Sequence, residues 1–489
     1  MIVDIDKFSP HRHVKEPFKH QQESFNTTRG REYYGLFWEM GTGKTKPLID
    51  TISWLFLTRQ IDGALIVSDK GAYLNWPMIE IPTHMQPDLL EHTRIGCFRA
   101  TARGHEVRDY ERVLVAQDDI LDIACINIEA LSHERPFQWA RSFLINHHAI
   151  MIIDESTSIK NQKSARTINV RRLGELADYR RIATGTPITQ GPLDLFSQCQ
   201  FLKPGCLGHT SFTSFKATYA VERQMIFGKR RFQQIVGYRN LDNLAERIKP
   251  FTSRLTKDEC LDLPEKIYEI EMVEMTTEQS EIYDKLKNEA LVMLDQGMVS
   301  CTEAITAIEK LHQVCCGHVK TDDHITVNIP NNRVTTLLRL REIIDGKMII
   351  WCAYQRDVEN VMAALAELKR DQFAVHYYGK TTPDERVNHL QQFHDNPLCT
   401  ELVGTTATGG KGLTLNEASY TVYYSNNYRL EHRLQSEDRN HRIGQKRNVT
   451  YIDLAIPNTI DMRIIKLLKE KKDLASEVLD LNRLIELLN

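Results

Sequence analysis

Six residues near the start of the chain have the types and spacing of a phosphate-binding loop. The segment 40–45 reads Met-Gly-Thr-Gly-Lys-Thr and lies between an apolar run and a stretch with helical spacing. Glycines let backbone N–H groups approach phosphate oxygens, lysine supplies a positive charge, and the adjacent hydroxyl can ligate magnesium. A helix beginning here would direct the positive end of its dipole at the phosphates. The residues assigned to a bound nucleotide are Gly41, Thr42, Gly43, Lys44 and Thr45.

A pair of acids supplies the second half of this chemistry. Asp154 and Glu155 end the apolar run 150–153. If that run is a strand of a parallel sheet, both carboxylates emerge at the carboxyl edge, where ligands bind in such sheets. We predict that Asp154 holds magnesium together with Thr45 and that Glu155 orients or deprotonates an attacking water. Taken alone, the pair could be two solvated acids, and the phosphate loop favours the catalytic interpretation.

Two arginines far along the chain could complete a hydrolytic site. Arg439 and Arg442 are three residues apart, which corresponds to one helical turn. We expect them to reach the γ-phosphate when two parts of the molecule close, as arginine fingers that are worth about 10³–10⁵ in rate. The alternative is an exposed helix in which Glu437 and Asp438 form salt bridges with them.

The elements that must position these residues are predicted by two series of short apolar runs. The alternation of such runs with longer amphipathic stretches is typical of parallel sheets covered by helices, so we expect an α/β fold with two lobes. Lobe 1 is placed at residues 1–250, with a helical insertion from about 196, and lobe 2 at 251–489, with a helical insertion at about 276–345 and C-terminal helices. The predicted strands lie at residues 34–38, 64–68, 123–128, 149–154, 181–185, 347–352, 374–378, 402–405, 421–424 and 449–454.

Composition limits the class of protein. The chain has 489 residues, 42% apolar and 26% charged, with a net charge of −3, which indicates a soluble globular protein and excludes a uniformly basic nucleic-acid coat. Its ten cysteines show no Cys-x-x-Cys spacing, as expected for reduced thiols. No apolar stretch is long enough to span a membrane, and the N-terminus has no signal-peptide pattern. We therefore expect an intracellular, cytoplasmic protein.

The motifs, taken in order, resemble those of Swi/Snf-type superfamily II helicases, a group of double-stranded DNA translocases, over nearly the whole chain. The signal most specific to this group is Ile159-Lys160-Asn161 after the acidic pair. The chain resembles the compact bacterial or phage members. The other matching segments are 18–21, 38–45, 65–68 with 75–76, 184–188, 263–266, 310–315, 405–415 and 435–445.

This resemblance implies two RecA-like lobes with an ATP cleft between them and ATP and Mg²⁺ as cofactors. It assigns Gln21 to the adenine and Gly410 and Gln435 to the nucleotide. It implies DNA as the partner, held through phosphates; the candidate contacts are Ser68, Asn75, Thr405 and Thr406. Strand-end caps are the alternative role for these four. The basic cluster at 229–231 is either a solvated loop or a phosphate contact.

Three residues depart from the pattern of the family. Trp38 stands where motif I usually opens with an acid, Thr157 where motif II usually has histidine, and Thr408 where alanine is common. A separate group, formed by His312, Cys315, Cys316 and His318, has zinc-binding side chains, but adjacent cysteines are not a usual zinc spacing and buried free thiols are the default.

We therefore expect a DNA-dependent ATPase that couples hydrolysis to opening and closing of two lobes and to translocation along double-stranded DNA, with remodelling of protein–DNA or branched DNA as its result. The alternative is a strand-separating helicase on branched DNA or RNA, which would use the same ATP motifs. A non-catalytic nucleic-acid-binding scaffold is disfavoured by the intact Lys44, Asp154, Glu155 and arginine pair.

Overall fold

The computed structural model describes residues 11–189, 191–227, 230–295, 301–321, 325–409, 413–426 and 428–470. The chain divides into two compact units, Met1–Asp262 and Leu263–Asn489. Each unit is built around its own parallel sheet, which confirms the predicted α/β class with two RecA-like lobes.

Unit 1 contains a sheet with the strand order β3-β4-β2-β5-β6-β1-β9, in which all neighbours are parallel. The strands of unit 1 are β1 Tyr33–Trp38, β2 Gly63–Ser68, β3 Thr93–Cys97, β4 Leu121–Asn127, β5 Ala149–Asp154, β6 Tyr179–Ala183, β7 Ala220–Phe227, β8 Arg230–Tyr238 and β9 Thr252–Leu255. Its α-helices are α1 Lys19–Thr28, α2 Thr45–Leu57, α3 Ile81–His84, α4 Pro87–Glu91, α5 His105–Glu111, α6 Glu134–Asn146, α7 Ala165–Gly174, α8 Leu195–Leu202, α9 Phe212–Tyr219, α10 Leu241–Ile248 and α11 Lys257–Cys260.

The strand order of unit 1 decides which loops lie side by side. Strand β6 lies between β1 and β5. The loops after these three strands therefore lie next to one another at the carboxyl edge, with the segment after β6 between the phosphate loop and the acidic pair. Alternate residues of β5 enter different cores, Met151 and Ile153 on one face and Ile150 and Ile152 on the other. Burial on both faces explains why the strand is a continuous apolar run.

Unit 2 contains a sheet with the order β10-β17-β16-β13-β15-β14, again parallel throughout. Its strands are β10 Lys266–Met272, β11 His318–Lys320, β12 Thr326–Asn328, β13 Met348–Cys352, β14 Ala374–Tyr377, β15 Glu401–Thr405, β16 Tyr420–Tyr423 and β17 Val449–Ala455. Its helices are α12 Thr277–Asp295, α13 Cys301–Cys315, α14 Arg333–Ile343, α15 Gln355–Glu367, α16 Pro383–Asp395, α17 Thr406–Gly409, α18 Leu430–Glu437 and α19 Ile460–Lys469.

The expectation that residues 196–345 are largely helical is correct for the helices α8 to α14, but it misses the six strands β7 to β12. Strands β9 and β10 extend the two main sheets, and β7–β8 and β11–β12 form antiparallel pairs. Edge strands such as β10 are buried only in part, so they lack the continuous apolar runs that identify central strands. Of the basic cluster at 229–231, residues 230 and 231 belong to β8; residue 229 and the side chains of 230 and 231 are outside the described residues.

The helices in the described part of the chain are too short or too polar to cross a membrane.

Candidate nucleotide site

The phosphate loop has the backbone shape that its glycines permit. Gly41 and Gly43 have φ values of 77° and 78°, a left-handed conformation that glycine adopts without steric cost. The Thr42 hydroxyl donates a hydrogen bond to the Glu39 carbonyl at 2.8 Å, which stabilises the turn of the loop. Helix α2 begins at Thr45, so the helix N-terminus directly follows the loop, as the sequence predicts.

Lys44 lies over this loop and close to the acidic pair. Its Nζ donates to the carbonyls of Trp38 at 3.0 Å and Glu39 at 3.2 Å. Its positive charge also opposes the rise in pKa that burial causes at Asp154 and Glu155. The lysine and the two acids, more than 100 residues apart in sequence, therefore belong to one electrostatic site within unit 1.

Asp154 is the last residue of β5, and two donors hold its carboxylate. Trp76 Nε1 donates to Asp154 Oδ2 at 3.0 Å, and Ser68 Oγ donates to the same oxygen at 3.3 Å. Burial raises the pKa of Asp154, and the Trp76 hydrogen bond and the Lys44 charge act against that rise. Both hydrogen bonds are accepted by Oδ2, so Oδ1 is the carboxylate oxygen that would bind a cation.

Glu155 stands in an uncommon backbone conformation. Its φ of 62° is left-handed, which is rare for a residue with a side chain and is concentrated at functional sites. Burial raises its pKa to about 7, against the opposing effects of the Lys44 charge and the Thr184 hydrogen bond. A carboxylate with this pKa exchanges protons near neutral pH, as a general base must.

Two threonine hydroxyls join the acidic pair to the loop after β6. Thr184 and Thr157 both donate to Glu155 Oε1, the latter at 3.2 Å. Their hydroxyls are 2.8 Å apart, and the Thr186 carbonyl, 3.0 Å from Thr157 Oγ1, is an alternative acceptor for the single hydroxyl proton of Thr157. Thr157, the departure from the usual histidine, therefore connects motif II to motif III through its hydroxyl.

The same loop touches the phosphate loop through a glycine. A Cβ on Gly185 would lie 2.6 Å from Met40 Cγ and 2.9 Å from the Met40 backbone nitrogen. Any side chain at this position would therefore push the phosphate loop away. Motif III thus contacts Glu155 through Thr184 and the phosphate loop through Gly185.

Gln21, expected to contact adenine, lies in α1 and is buried. Its Nε2 donates to the Gly43 carbonyl at 3.0 Å, and its Oε1 accepts from the Phe18 backbone N–H at 2.9 Å. A primary amide has two N–H donors and two acceptor lone pairs, so one of each can still be directed at an adenine edge. The glutamine therefore supports the phosphate loop whatever its role toward the base.

The side chains at this site suit magnesium. Carboxylate and hydroxyl oxygens are the ligands that this hard cation prefers, and it is usually held by one or two carboxylates together with the substrate phosphates. Asp154 offers Oδ1, and Thr45 follows the lysine at the helix start. The residues present fit Mg²⁺, and the assignment of Asp154 and Thr45 as its protein ligands stays a prediction.

A second polar cluster adjoins α2 and was not anticipated from the sequence. The ligand atoms of His11, His13 and Asp50 lie within 4.8 Å of one another. The buried Lys46 ammonium is 3.0 Å from Asp50 Oδ2 and supplies the positive charge that balances it. The cluster therefore anchors the segment before α1 onto the helix that carries the phosphate loop.

The candidate nucleic-acid contacts are mostly buried. Ser68 is 1% exposed, and its hydroxyl is directed at Asp154 rather than outward. Thr405 and Thr406, at the junction of β15 and α17, are 5% and 1% exposed, and Thr405 Oγ1 donates to Thr408 at 3.1 Å. Asn75 is half-buried. The role of these residues in binding nucleic acid stays a prediction, and Asn75 is the most accessible of them.

In unit 2 the arginine pair does not form a helical turn, because α18 ends at Glu437. Instead, Arg439 and Arg442 each donate from Nη1 to the Leu413 carbonyl at 3.1 Å. Arg439 is buried, and Arg442 is half-buried. The alternative was an exposed helix in which Glu437 and Asp438 form salt bridges with these arginines; Glu437 instead accepts a hydrogen bond from Arg433 Nε at 2.8 Å.

Of the two other nucleotide candidates in unit 2, Gln435 is the one that the structure describes. Gln435 is 2% exposed, and its Nε2 donates to Glu431 Oε1 at 3.0 Å. Gly410 lies outside the described residues. Neither observation tests a role in binding nucleotide.

The residues with zinc-binding side chains are all buried in unit 2, and the two histidines face polar side chains. His312 Nδ1 is 2.9 Å from the Tyr354 hydroxyl, and His318 Nδ1 is 3.3 Å from Asp357 Oδ1. The cysteines whose side chains are described, Cys315 and Cys316 included, are free thiols. Burial lowers the pKa of His312 and raises those of both thiols, which favours the uncharged forms of these three side chains.

Sequence reasoning missed the residues that support the acids. Trp76 and Thr184 belong to recognised motifs, but their hydrogen bonds to Asp154 and Glu155 carry no signal in residue spacing. Asp69, a buried carboxylate, raises the pKa of both acids. It directly follows β2, so the strand-end rule that identified Asp154 could have found it.

Family models match the two halves of the chain. The SNF2-related domain matches residues 24–320, and the helicase conserved C-terminal domain matches residues 332–444. The first match covers more than half of the 489 residues. It includes the phosphate loop, the acidic pair and the loop after β6, and the second includes both arginines.

Individual curated relatives share only about a quarter of their residues with this chain over the aligned regions. The ATP-dependent helicase MG018 of Mycoplasma genitalium is 24% identical over 471 residues, which cover 94% of this chain and 42% of that protein. Human TATA-binding protein-associated factor 172 is 28% identical over 387 residues, with 67% and 20% covered. The chain thus spans less than half the length of these curated relatives.

Among solved structures, the Sulfolobus solfataricus SWI2/SNF2 ATPase core in complex with dsDNA is 22% identical, with 95% of this chain and 92% of that chain covered and a TM-score of 0.42. Family membership rests on the domain matches, together with the order of motifs on two parallel-sheet units. The chain belongs to the SNF2-related family of superfamily II helicases.

Proposed function

We propose that the protein is a nucleic-acid-stimulated ATPase that translocates along double-stranded DNA. The observation that carries the ATPase proposal is the grouping of Lys44, Asp154 and Glu155 into one electrostatic site at the carboxyl edge of the unit 1 sheet. Phosphoryl transfer needs positioned charge and an oriented water more than covalent chemistry, and these three residues supply both.

The residues of unit 1 have separate roles in hydrolysis. The phosphate loop binds the triphosphate through its backbone N–H groups, and Lys44 moves from the loop carbonyls to the β- and γ-phosphates. Asp154 and Thr45 would hold Mg²⁺, which would supply positive charge to the phosphate oxygens. Glu155, oriented by the Thr184 hydroxyl, accepts a proton from the attacking water.

Hydrolysis in this proposal also needs the arginines of unit 2. Arg442 is the better finger, because it is half-buried and can leave the Leu413 carbonyl for a phosphate oxygen. Arg439 holds its surroundings through the Gln435 and Leu413 carbonyls. Cleavage of the γ-phosphate would remove the group that both units bind, and the cycle of closing and opening would drive movement along DNA.

Membership in the family supports nucleic acid as the partner, and the resemblance of the motifs implies duplex DNA. Contacts to phosphates would make binding independent of sequence and strongly weakened by salt. A translocase needs this independence of sequence in order to keep moving.

The test is ATP turnover measured with duplex DNA, single-stranded DNA, branched DNA and RNA, with Lys44→Ala as the inactive control. We expect duplex DNA to stimulate turnover most and Lys44→Ala to abolish it. Triplex displacement without strand separation would support translocation. Strand separation without triplex displacement would favour a helicase on branched DNA or RNA, and turnover that is unchanged in Lys44→Ala would refute the assigned site.

A further inference from the structure

The loop between β2 and α3 returns to Asp154 at both of its ends. Ser68, the last residue of β2, donates its hydroxyl to Asp154 Oδ2 at 3.3 Å. Trp76, eight residues later, donates its indole N–H to the same oxygen at 3.0 Å. Ser68 is 1% exposed and Trp76 is 2% exposed. One carboxylate oxygen therefore fixes the two ends of the loop.

Part of the loop between these ends is exposed to solvent, and hydrogen bonds within the loop stiffen it. Lys70 is exposed, and Asn75, directly before the tryptophan, is half-buried. The backbone N–H groups of Ala72 and Tyr73 both donate to the Asp69 carbonyl at 2.9 Å, which stiffens the loop. A stiff loop of this kind connects its solvent-exposed residues to its two buried ends.

Trp76 also begins an unusual element. Residues Trp76–Glu80 form a π-helical turn, a rare conformation that is frequent at functional sites. The tryptophan ring packs in the core on one face of the unit 1 sheet, while its single polar atom is directed at the carboxylate. The ring of Trp76 is therefore held in place by the core, and its indole N–H is held in position to bond Asp154.

We propose that Trp76 is a positioning residue for Asp154, and that its indole N–H transmits nucleic-acid binding at the loop 68–76 to the carboxylate that holds magnesium. This inference rests on the proposed function. Hydrogen bonds to a ligating carboxylate fix its orientation, and their loss typically costs 10–100-fold in metal affinity or activity.

The first test measures nucleotide binding without hydrolysis or nucleic acid. Trp76→Phe keeps an aromatic ring and removes the N–H. The affinity for a fluorescent ADP analogue is measured in Mg²⁺ and in EDTA, and the ratio of the two affinities gives the gain due to magnesium. We expect this gain to fall roughly tenfold in Trp76→Phe, while the affinity in EDTA stays unchanged. An unchanged gain would overturn the proposal.

Trp139→Phe is the matched control. Trp139 is also a buried tryptophan of unit 1, at 6% exposure, but its indole N–H has no hydrogen-bond partner among the described residues. The control therefore removes ring volume without removing a bond to the site. Trp139→Phe should show the same gain in affinity from magnesium as the wild type. If Trp76→Phe and Trp139→Phe lose equal amounts of this gain, the cause is the lost packing and not the lost hydrogen bond.

The second test measures the ratio of ATP turnover with and without duplex DNA. We expect Trp76→Phe to lose most of this stimulation and Trp139→Phe to keep it; full stimulation in Trp76→Phe would refute transmission through the indole. If nucleic acid does not stimulate the wild-type ATPase, transmission fails together with the proposed function, while the magnesium comparison still decides whether Trp76 positions Asp154.

If Trp76→Phe does not fold, the gain in nucleotide affinity due to magnesium is measured in Ser68→Ala instead. It removes the other bond to Asp154 Oδ2 by deleting one atom, so it is a small perturbation. A reduced gain from magnesium in folded Ser68→Ala would support positioning through this oxygen. A wild-type gain would overturn it.

Discussion

The Thr184 hydroxyl donates a hydrogen bond to the Glu155 carboxylate and so joins the ends of two neighbouring strands, β6 and β5. Thr184 is completely buried, and Glu155 has a left-handed backbone and a pKa raised to about 7. The proposed general base is therefore held by a residue 29 positions away in sequence. Its orientation and its proton affinity both depend on this contact.

Thr184→Val should lower ATP turnover roughly tenfold, since one buried hydrogen bond is worth about 1–1.5 kcal/mol. The Thr184 hydrogen bond lowers the pKa of Glu155, so its loss should move the rise of the pH–rate profile to higher pH. Turnover measured across pH 5.5–9 checks both effects. Thr184→Ser keeps the hydroxyl and should behave like the wild type; equal losses in the two variants would exclude the hydrogen bond as the cause.

Glu155→Gln should abolish turnover and stabilise the nucleotide-free protein at pH 8. Burial raises the pKa of Glu155 from 4.5 to about 7, so the folded state binds a proton that the unfolded state releases between these values. The free energy of unfolding of the wild type therefore falls as pH rises through this window. Removing the carboxylate should restore on the order of 1–3 kcal/mol at pH 8 and almost nothing below pH 4.5.

Thermal unfolding in EDTA at pH 4.5 and pH 8 measures this difference. Glu111→Gln, at an exposed position near the end of α5, is the control and should shift neither melting temperature. If Glu155→Gln is no more stable than the wild type at pH 8, burial of the charged Glu155 carboxylate does not destabilise the folded protein.

Arg442→Ala should bind ATP normally and hydrolyse it about 10³-fold more slowly, as expected for loss of an arginine finger. Arg439→Ala should in addition lose about 1–3 kcal/mol of stability, because its buried side chain donates to the Gln435 and Leu413 carbonyls. Fluorescent nucleotide binding, ATP turnover and thermal unfolding separate these effects. The control is Arg447→Ala, an exposed arginine that donates to the Glu417 carbonyl; normal turnover in Arg442→Ala would remove this residue from the mechanism.

Gly185→Ala should weaken nucleotide binding roughly tenfold or more, because the added Cβ would lie 2.9 Å from the Met40 backbone nitrogen and displace the phosphate loop. Gly237→Ala is the matched control, since a Cβ at that position meets no atom within 4 Å. Isothermal titration with ATP analogues measures the effect. Wild-type affinity in Gly185→Ala would mean that the loop can move without loss of binding.

The sequence by itself determined the chemistry of the candidate site and the class of the fold. Strands buried on both faces must be continuous apolar runs, so β5 and the acids at its end are visible in the residue order. The phosphate loop is equally local, because its glycines and Lys44 act within six consecutive residues. The strand with its acids and the phosphate loop are each short segments, so their residue types can be read directly from one sequence.

The tertiary structure alone decided which residues support the acids. Trp76 and Ser68 reach Asp154, and Thr184 reaches Glu155, because β2, β5 and β6 lie side by side in the sheet. Strand order depends on packing between segments far apart in sequence, and no residue spacing encodes it. The same reason explains the arginines: their shared contact with the Leu413 carbonyl replaces the helical turn that a spacing of three residues predicts.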